Sequence, residues 1–160
     1  LTEADLPAIF DEYERLTDLI LEKRRNGEKL SFFHFMVDLE QGPCVIKRLR
    51  GCGAGYEYVA VTPDGDIYPC HQFVGKEEFR QGSVLDDTLD EGIARRFAAM
   101  NIYTREKCRT CWARFYCSGG CSAANFNQNQ DMNQPYSLGC EMEKKRLECA
   151  IYLKAAEAGM

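Results

Sequence analysis

Four cysteines stand in the segment Cys108-Arg-Thr-Cys111-Trp-Ala-Arg-Phe-Tyr-Cys117-Ser-Gly-Gly-Cys121, and the fold has to accommodate this spacing. Two more cysteines, Cys52 and Cys70, flank a predicted hairpin, and Cys140 follows downstream. Thiolates are soft ligands, and sets of four of them hold iron–sulfur clusters. The sequence therefore has enough thiols for two such clusters.

The cysteine content has two ordinary explanations, a disulfide framework in a secreted protein or metal in a reducing cytosol. The chain has nine cysteines among 160 residues, an odd number at short and unequal spacings. Its first residues, Leu1-Thr2-Glu3-Ala4-Asp5, are polar and acidic, unlike a secretory signal. These observations favour metal binding and a cytoplasmic location.

Zinc is the chief alternative to iron–sulfur, because Cys-x2-Cys with two further thiolates is also a structural zinc site. Zinc ribbons and fingers usually add a second pair with the same spacing, whereas the second half here reads Cys-x5-Cys-x3-Cys. This spacing favours iron–sulfur, and structural zinc stays open. Gly119-Gly120 is expected to let the backbone pass close to inorganic sulfide, where a Cβ would collide.

The composition is that of an average globular domain, at 45% hydrophobic and 28% charged residues. The formal net charge of −5 argues against a nucleic-acid surface. No apolar run approaches the roughly 18 residues that span a bilayer. We therefore expect neither nucleic acid nor membrane as a partner. The start at Leu1 indicates a piece of a longer protein.

The first part of the chain predicts a helix and a strand. Apolar residues recur every three or four positions between Leu6 and Ile20, which predicts a helix over residues 2–26. Residues 30–39 are aromatic and apolar on both faces and predict a buried strand. A boundary at Gln41-Gly42-Pro43 then separates a domain of residues 1–42 from one of residues 43–160.

The second part predicts one hairpin and several helices. Residues 56–70 form the hairpin, because Pro63-Asp64-Gly65-Asp66 provides turn residues between two β-favouring runs. Helices are predicted near 87–100 and over 138–157, and the Asn- and Gln-rich tract 125–134 is predicted to be a solvated loop. The fold class is therefore α+β.

The complete cysteine pattern resembles the SPASM domain, the C-terminal extension of radical S-adenosylmethionine (radical SAM) enzymes that modify peptides and proteins. It runs Cys52-x12-Gly65-x4-Cys70, then the four-cysteine segment, then Cys140 after a further gap. The resemblance covers about residues 44–150. Residues 1–40 then resemble the last helix and strand of the partial α/β barrel that precedes such a domain.

Two stretches resemble a subfamily, the maturases of the SCIFF (six cysteines in forty-five residues) peptides. They are Gly51-Cys-Gly-Ala-Gly-Tyr-Glu-Tyr-Val-Ala-Val-Thr-Pro63 and Asp66-Ile-Tyr-Pro-Cys-His-Gln-Phe-Val-Gly75. Those enzymes join a peptide Cys to a neighbouring residue by a thioether, as in sactipeptides and ranthipeptides. The resemblance therefore implies thioether formation in a ribosomally made peptide.

The resemblance also implies a ligand set of two interlaced 4Fe-4S clusters. An inner cluster takes Cys52, Cys70 and Cys121, and either Cys44 closes it or one iron stays open for a substrate thiolate. The outer cluster takes the remaining motif cysteines, which are Cys108, Cys111, Cys117 and Cys140. Cys149 stands among apolar positions of the last predicted helix and is interpreted as a core thiol.

The radical SAM signature Cys-x3-Cys-x2-Cys is absent from these residues. The resemblance therefore places S-adenosylmethionine and a third 4Fe-4S cluster in a barrel outside them, and it predicts that the fragment alone is inactive. The partners it implies are a cysteine-rich precursor peptide and an electron donor such as ferredoxin or flavodoxin. The two clusters would transfer electrons, position a substrate thiol or hold the module folded.

Two readings from other classes stay open. One is a structural zinc-binding module that binds protein partners, and the other is a stand-alone electron carrier of ferredoxin type. Both use the same thiols, since zinc and iron–sulfur clusters share cysteine as a ligand.

Overall fold

The computed structural model describes residues 1–40 and 44–158. They form two compact units, one of residues 1–40 with 136–158 and the other of residues 44–135. The predicted boundary at Gln41-Gly42-Pro43 lies outside the described residues. Helices are combined with a small antiparallel sheet, so the fold class is α+β as predicted. Among the described residues, no helix is long and apolar enough to cross a membrane.

The first unit is built on two long helices, α1 (Leu6–Arg25) and α7 (Ser137–Ala158), and both predictions are confirmed. A 3-10 turn at Glu3–Asp5 precedes α1, and the Asp5 carboxylate accepts hydrogen bonds from the Thr2 N–H and hydroxyl. The helices share a core made of Ile20, Leu21, Phe35, Cys149 and Leu153. Each fully buried Leu or Ile in such a core contributes about 1.5–3 kcal/mol.

The predicted strand over residues 30–39 is wrong. The segment contains a 3-10 turn at Phe33–Phe35, and its N–H groups bond locally, Phe35 to the Phe32 carbonyl at 2.9 Å. Phe33 and Met36 are 80% and 69% exposed, whereas Phe35 packs edge-on against Tyr13 at 5.9 Å between ring centroids. A lone strand leaves its backbone groups unpaired, and the four strands described in this chain pair with one another.

The second unit contains a four-stranded antiparallel meander. Its strands are β1 (Ala60–Val61), β2 (Asp66–Tyr68), β3 (Gly82–Ser83) and β4 (Thr88–Leu89), in the order β1-β2-β3-β4. The first pair is the predicted hairpin, with Ala60 opposite Tyr68 and Val61 opposite Ile67. Gly65 takes a positive φ of 87° in its turn, as the sequence requires. The third and fourth strands were not predicted.

The second unit also contains five short helices, which are α2 (Val45–Arg50), α3 (Glu91–Ala99), α4 (Glu106–Arg109), α5 (Arg114–Cys117) and α6 (Ser122–Asn129). The prediction of a helix near 87–100 is confirmed by α3, which starts later because Thr88–Leu89 pairs as β4. The predicted loop over 125–134 is wrong in its first half, which continues α6. Asn125 is buried there and donates to the Met132 carbonyl.

Aromatic side chains fill the core of the second unit. Phe73 and Phe79 stack at 4.3 Å between ring centroids, and Phe126 meets Phe79 edge-on at 4.7 Å. Phe97 from α3 closes the group with an edge-on contact to Phe73 at 5.4 Å. Because Phe73 and Phe126 follow Cys70 and Cys121 in sequence, this core fixes the backbone that carries both cysteines.

Candidate metal centre

Four cysteines from three separate parts of the chain line one cavity of about 410 Å³ in the second unit. Cys52 follows α2, Cys70 immediately precedes a 3-10 turn at His71–Phe73, and Cys121 caps the start of α6. Cys117, at the end of α5, lines the same cavity. The structure thus brings together Cys52, Cys70 and Cys121, which were predicted for the inner set, with Cys117, which was predicted for the outer set.

Burial raises the pKa of the Cys70 thiol above its ordinary value, and the neighbouring thiolates of Cys121 and Cys52 act in the same direction. The backbone N–H groups of Gln72 and Phe73 donate to the Cys70 sulfur and oppose this rise in pKa. The raised pKa keeps Cys70 a neutral thiol at neutral pH unless a cation near its sulfur favours the thiolate. The cavity is therefore suited to a cationic group that soft sulfur ligands hold.

Two polar side chains are directed at the sulfurs of this cavity. The Tyr58 hydroxyl donates to the Cys52 sulfur, and the Gln72 amide donates to the Cys121 sulfur, each at 3.6 Å. Burial raises the pKa of Tyr58 far above its ordinary value, and the hydrogen bond to Cys52 adds to the rise, so the phenol stays protonated. Donors of this kind hold and tune the ligands of a metal centre.

The second predicted set lies on the adjoining short helices. Cys108 is buried within α4, Cys111 follows with its N–H bonded to the Cys108 carbonyl at 3.2 Å, and Cys117 ends α5. Burial raises the pKa of the Cys108 thiol, while the Arg105 guanidinium lowers it. Cys108 and Cys117 lie on two consecutive short helices, and Cys111 lies in the segment between them.

The remaining cysteines differ in their surroundings. Cys140 is half-buried in the first turn of α7, in the other unit, so its approach to the outer set stays a prediction. Cys44 is exposed ahead of α2 and is absent from the cavity lining. Cys149 is buried in the core of the first unit, which confirms its interpretation as a core thiol.

The chemical state of the thiols agrees with a metal-binding interpretation. All nine cysteines lie in the described part of the chain, and no disulfide joins any of them. Within residues 1–40 and 44–158, no group of three or more His, Cys, Asp or Glu side chains is close enough to hold one metal ion. In the described residues these cysteines are therefore not gathered around one metal position.

Sequence reasoning missed three residues of this region, which are Tyr58, Gln72 and Arg105. Tyr58 and Gln72 lie within six and two residues of a cysteine, a spacing that many unrelated side chains share. Arg105 is buried, and an arginine three residues before a cysteine gives no local indication of burial. Trp112, beside Cys111, is 50% exposed.

Part of this region also matches a known protein family. Residues 52–112 match the family model SPASM, described as an iron–sulfur cluster-binding domain. The chain is 30% identical over 146 residues to an uncharacterized protein of Archaeoglobus fulgidus, which covers 84% of this chain and 34% of that protein.

It is also similar to two proteins named mycofactocin maturase MftC. That of Mycobacterium tuberculosis is 29% identical over 140 residues, and that of Mycolicibacterium smegmatis is 26% identical over 139 residues. Each alignment covers 82% of this chain and 34% of the relative. The chain therefore spans about a third of the length of the relatives that it matches.

Proposed function

We propose that the chain holds two 4Fe-4S clusters as the auxiliary region of a radical SAM maturase, because its residues 52–112 match the SPASM iron–sulfur cluster-binding model. Cys52, Cys70 and Cys121 hold the inner cluster in this proposal. The outer cluster is held by Cys108, Cys111, Cys117 and Cys140.

The observation that carries this proposal is the cavity of about 410 Å³ with thiols from three distant segments on its wall. A cubane cluster presents its iron atoms at separate corners and therefore takes ligands from several elements. A tetrahedral zinc ion instead binds all four of its ligands directly, with each sulfur about 2.3 Å from the metal. Thiols spread around a cavity fit the cluster better than they fit the single ion.

The chain's own residues prepare this cavity. Tyr58 and Gln72 donate to the Cys52 and Cys121 sulfurs, and the N–H groups of Gln72 and Phe73 donate to the Cys70 sulfur. When bound, such clusters supply one-electron transfer. Donors on their ligands stabilise the added negative charge of the reduced form, which raises the reduction potential.

The proposal also specifies a substrate, a reaction and an electron donor. The substrate is a ribosomally made, cysteine-rich precursor peptide, and the reaction joins a peptide Cys to a neighbouring residue by a thioether. Two relatives are named as maturases, which supports the broader class of peptide maturation. A ferredoxin or flavodoxin supplies electrons, and S-adenosylmethionine with a third cluster belongs to a barrel outside these residues. Reduced thiols and clusters suit the cytoplasm.

Anaerobic reconstitution with iron and sulfide tests the clusters directly. We expect a brown protein with broad absorption at about 400 nm and about eight iron and eight sulfide per chain. Cys70→Ala and Cys108→Ala, one from each set, should each lose about half of the iron. Cys149→Ala is the matched control, because this buried thiol lies in a core of apolar side chains and should leave the iron content unchanged.

A colourless protein that binds zinc stoichiometrically would contradict the proposal and support a structural zinc module instead. Loss of iron in Cys149→Ala to the same extent as in Cys70→Ala would also contradict the ligand assignment. A stand-alone carrier is distinguished by its gene, since the proposal expects Cys-x3-Cys-x2-Cys in the protein that contains these residues.

Cys44 decides whether protein thiols close the inner cluster. Since Cys44 does not line the cavity, we expect Cys44→Ala to retain full iron and an unchanged electron paramagnetic resonance (EPR) signal from the reduced inner cluster. A changed signal at full iron content would make Cys44 the fourth ligand. The unchanged result leaves one iron available to a substrate thiolate.

A further inference from the structure

Arg105 is a buried guanidinium at the start of α4, three residues before Cys108. Only 2% of the residue is exposed. Its Nε donates to the Met132 carbonyl at 3.3 Å and its Nη1 to the Gly119 carbonyl at 3.0 Å. Its Nη2 donates to the Ser122 hydroxyl at 2.9 Å. The N–H groups of the side chain are thus directed at neutral oxygen acceptors.

None of these acceptors compensates the positive charge. No carboxylate among residues 1–40 and 44–158 forms an ion pair with Arg105, whereas the more exposed Arg80 pairs with Asp66 at 2.6 Å. A buried charge is costly unless an opposite charge accompanies it. The structure therefore leaves Arg105 in need of a negative partner inside the protein.

Arg105 lies beside cysteines of both predicted sets, which become negative when they bind a metal. Its carbonyl accepts from the Cys108 N–H at 2.9 Å, and its guanidinium donates to Gly119 and Ser122, on either side of Cys121. Burial lowers the pKa of the Arg105 guanidinium below its ordinary value, while thiolates at Cys108 and Cys117 of one set raise it. Thiolates at Cys121 and Cys52 of the other set act in the same direction on this pKa. Arg105 also contacts the backbone at Gly119, between Cys117 and Cys121, where the two sets meet in sequence.

The surrounding backbone is shaped around this guanidinium. Gly119 has a positive φ of 87°, and a Cβ at this position would overlap Nη1 of Arg105. Asn125, which is also buried, donates to the same two carbonyls as Arg105, those of Gly119 and Met132. A specific pocket therefore holds the charge in place.

We propose that Arg105 is the internal counter-cation of both clusters and raises their reduction potentials. The inference rests on the proposed function, since it needs clusters at both sets of thiols. Thiolate-ligated clusters are anions, and reduction adds one more negative charge. A fixed positive charge out of reach of solvent stabilises that reduced form more than a solvated one does.

The test compares four forms of the reconstituted 160-residue chain: wild type, Arg105→Gln, Arg105→Lys and Arg109→Gln. Gln removes the charge, and Lys retains it with fewer hydrogen bonds. Arg109 lies on the same helix and is exposed, so Arg109→Gln is the matched control. Iron and sulfide are measured first, and the midpoint potentials follow from a redox titration monitored by EPR.

We expect full iron in wild type and Arg109→Gln, with equal potentials. In Arg105→Gln, both midpoint potentials should shift to more negative values, and in Arg105→Lys they should return close to those of wild type. If Arg105→Gln loses iron and Arg105→Lys retains it, the requirement for charge is again supported.

Three results would overturn the inference. They are unchanged potentials in Arg105→Gln at full iron, equal shifts in Arg105→Gln and Arg105→Lys, and loss of iron in both variants. All three leave the cluster proposal standing, because wild type still carries iron and sulfide. A wild-type chain that binds no iron instead contradicts the proposed function itself, and the inference fails with it.

Discussion

Two consecutive glycines precede Cys121, and they have different reasons to be glycine. Both have a positive φ, 87° at Gly119 and 74° at Gly120. A Cβ at Gly119 would overlap the Arg105 guanidinium, whereas the nearest atom to a Cβ at Gly120 is the Asn125 Oδ1 at 3.8 Å. The sequence predicted that the pair makes room for inorganic sulfide, and the structure gives Gly119 a different neighbour, the guanidinium.

Gly119→Ala and Gly120→Ala separate backbone strain from the overlap. Both should lose about 1–2 kcal/mol of unfolding free energy, since a left-handed backbone is unfavourable for a residue with a Cβ. Gly119→Ala should lose roughly 1–3 kcal/mol more because the guanidinium has to move. Urea denaturation of the reconstituted chains measures both values.

The matched pair has a clear contrary result. Equal losses of unfolding free energy in the two variants would show that the Arg105 side chain can move away from a Cβ at residue 119 without cost. Arg105 would then not require a glycine at this position. A larger loss in Gly120→Ala would instead indicate that Gly120 is the glycine that the site requires.

Helices α1 and α7 show how two elements distant in sequence hold one unit together. Lys145 of α7 forms an ion pair with Glu14 of α1, and Arg24 pairs with Glu157 near the other end. Such pairs at a surface usually contribute less than about 1 kcal/mol each. The apolar core between the helices is therefore the main source of their stability.

Leu153→Ala tests that core, and Ile151→Ala on the same helix is its control. Leu153 is 4% exposed and Ile151 is 46% exposed. The first variant should lose about 2–5 kcal/mol of unfolding free energy, because it creates a cavity between the helices. The second should change it by no more than about 0.5 kcal/mol. Urea denaturation followed by circular dichroism measures both, and equal small losses would contradict the packing.

The elements that local patterns specify were predicted correctly. The two long helices have apolar residues at helical spacing, and the hairpin has Pro63 and Gly65 in its turn. The other two strands have two residues each, which is too short for any periodic pattern. The strand prediction over residues 30–39 was wrong because a strand needs partner strands, and the aromatic composition of a segment does not show whether partners exist.

Of the residues in the candidate site, the sequence predicted only the cysteines. Cysteine spacing and the family resemblance gave Cys52, Cys70 and Cys121, and the fold brings these three to one cavity. Arg105 could not be predicted, because its relation to the thiols depends on which surfaces become buried when distant segments pack. Tyr58 is half-exposed, and its hydrogen bond to Cys52 depends on the path of the backbone between the two residues.

Residues 52–112 match the model of an iron–sulfur cluster-binding domain, and the 160 residues contain no Cys-x3-Cys-x2-Cys signature. We therefore expect the reconstituted and reduced chain to produce no deoxyadenosine from S-adenosylmethionine. Chromatography of the reaction mixture measures the product, and a radical SAM enzyme with the three-cysteine signature serves as the positive control. Deoxyadenosine above the protein-free background would mean that a cluster in this chain binds and cleaves the cofactor.

Trp112 is the one tryptophan of the chain, and it is joined directly to Cys111 with half of its surface in water. Iron–sulfur clusters absorb broadly at the wavelengths where indole emits. A cluster bound at Cys111 therefore quenches the fluorescence of Trp112 by energy transfer. The tryptophan fluorescence of this protein therefore reports on the cluster. Its intensity is high when Cys111 is free and low when Cys111 binds the cluster. Assembly and oxidative loss of that cluster can then be followed in real time without any added dye.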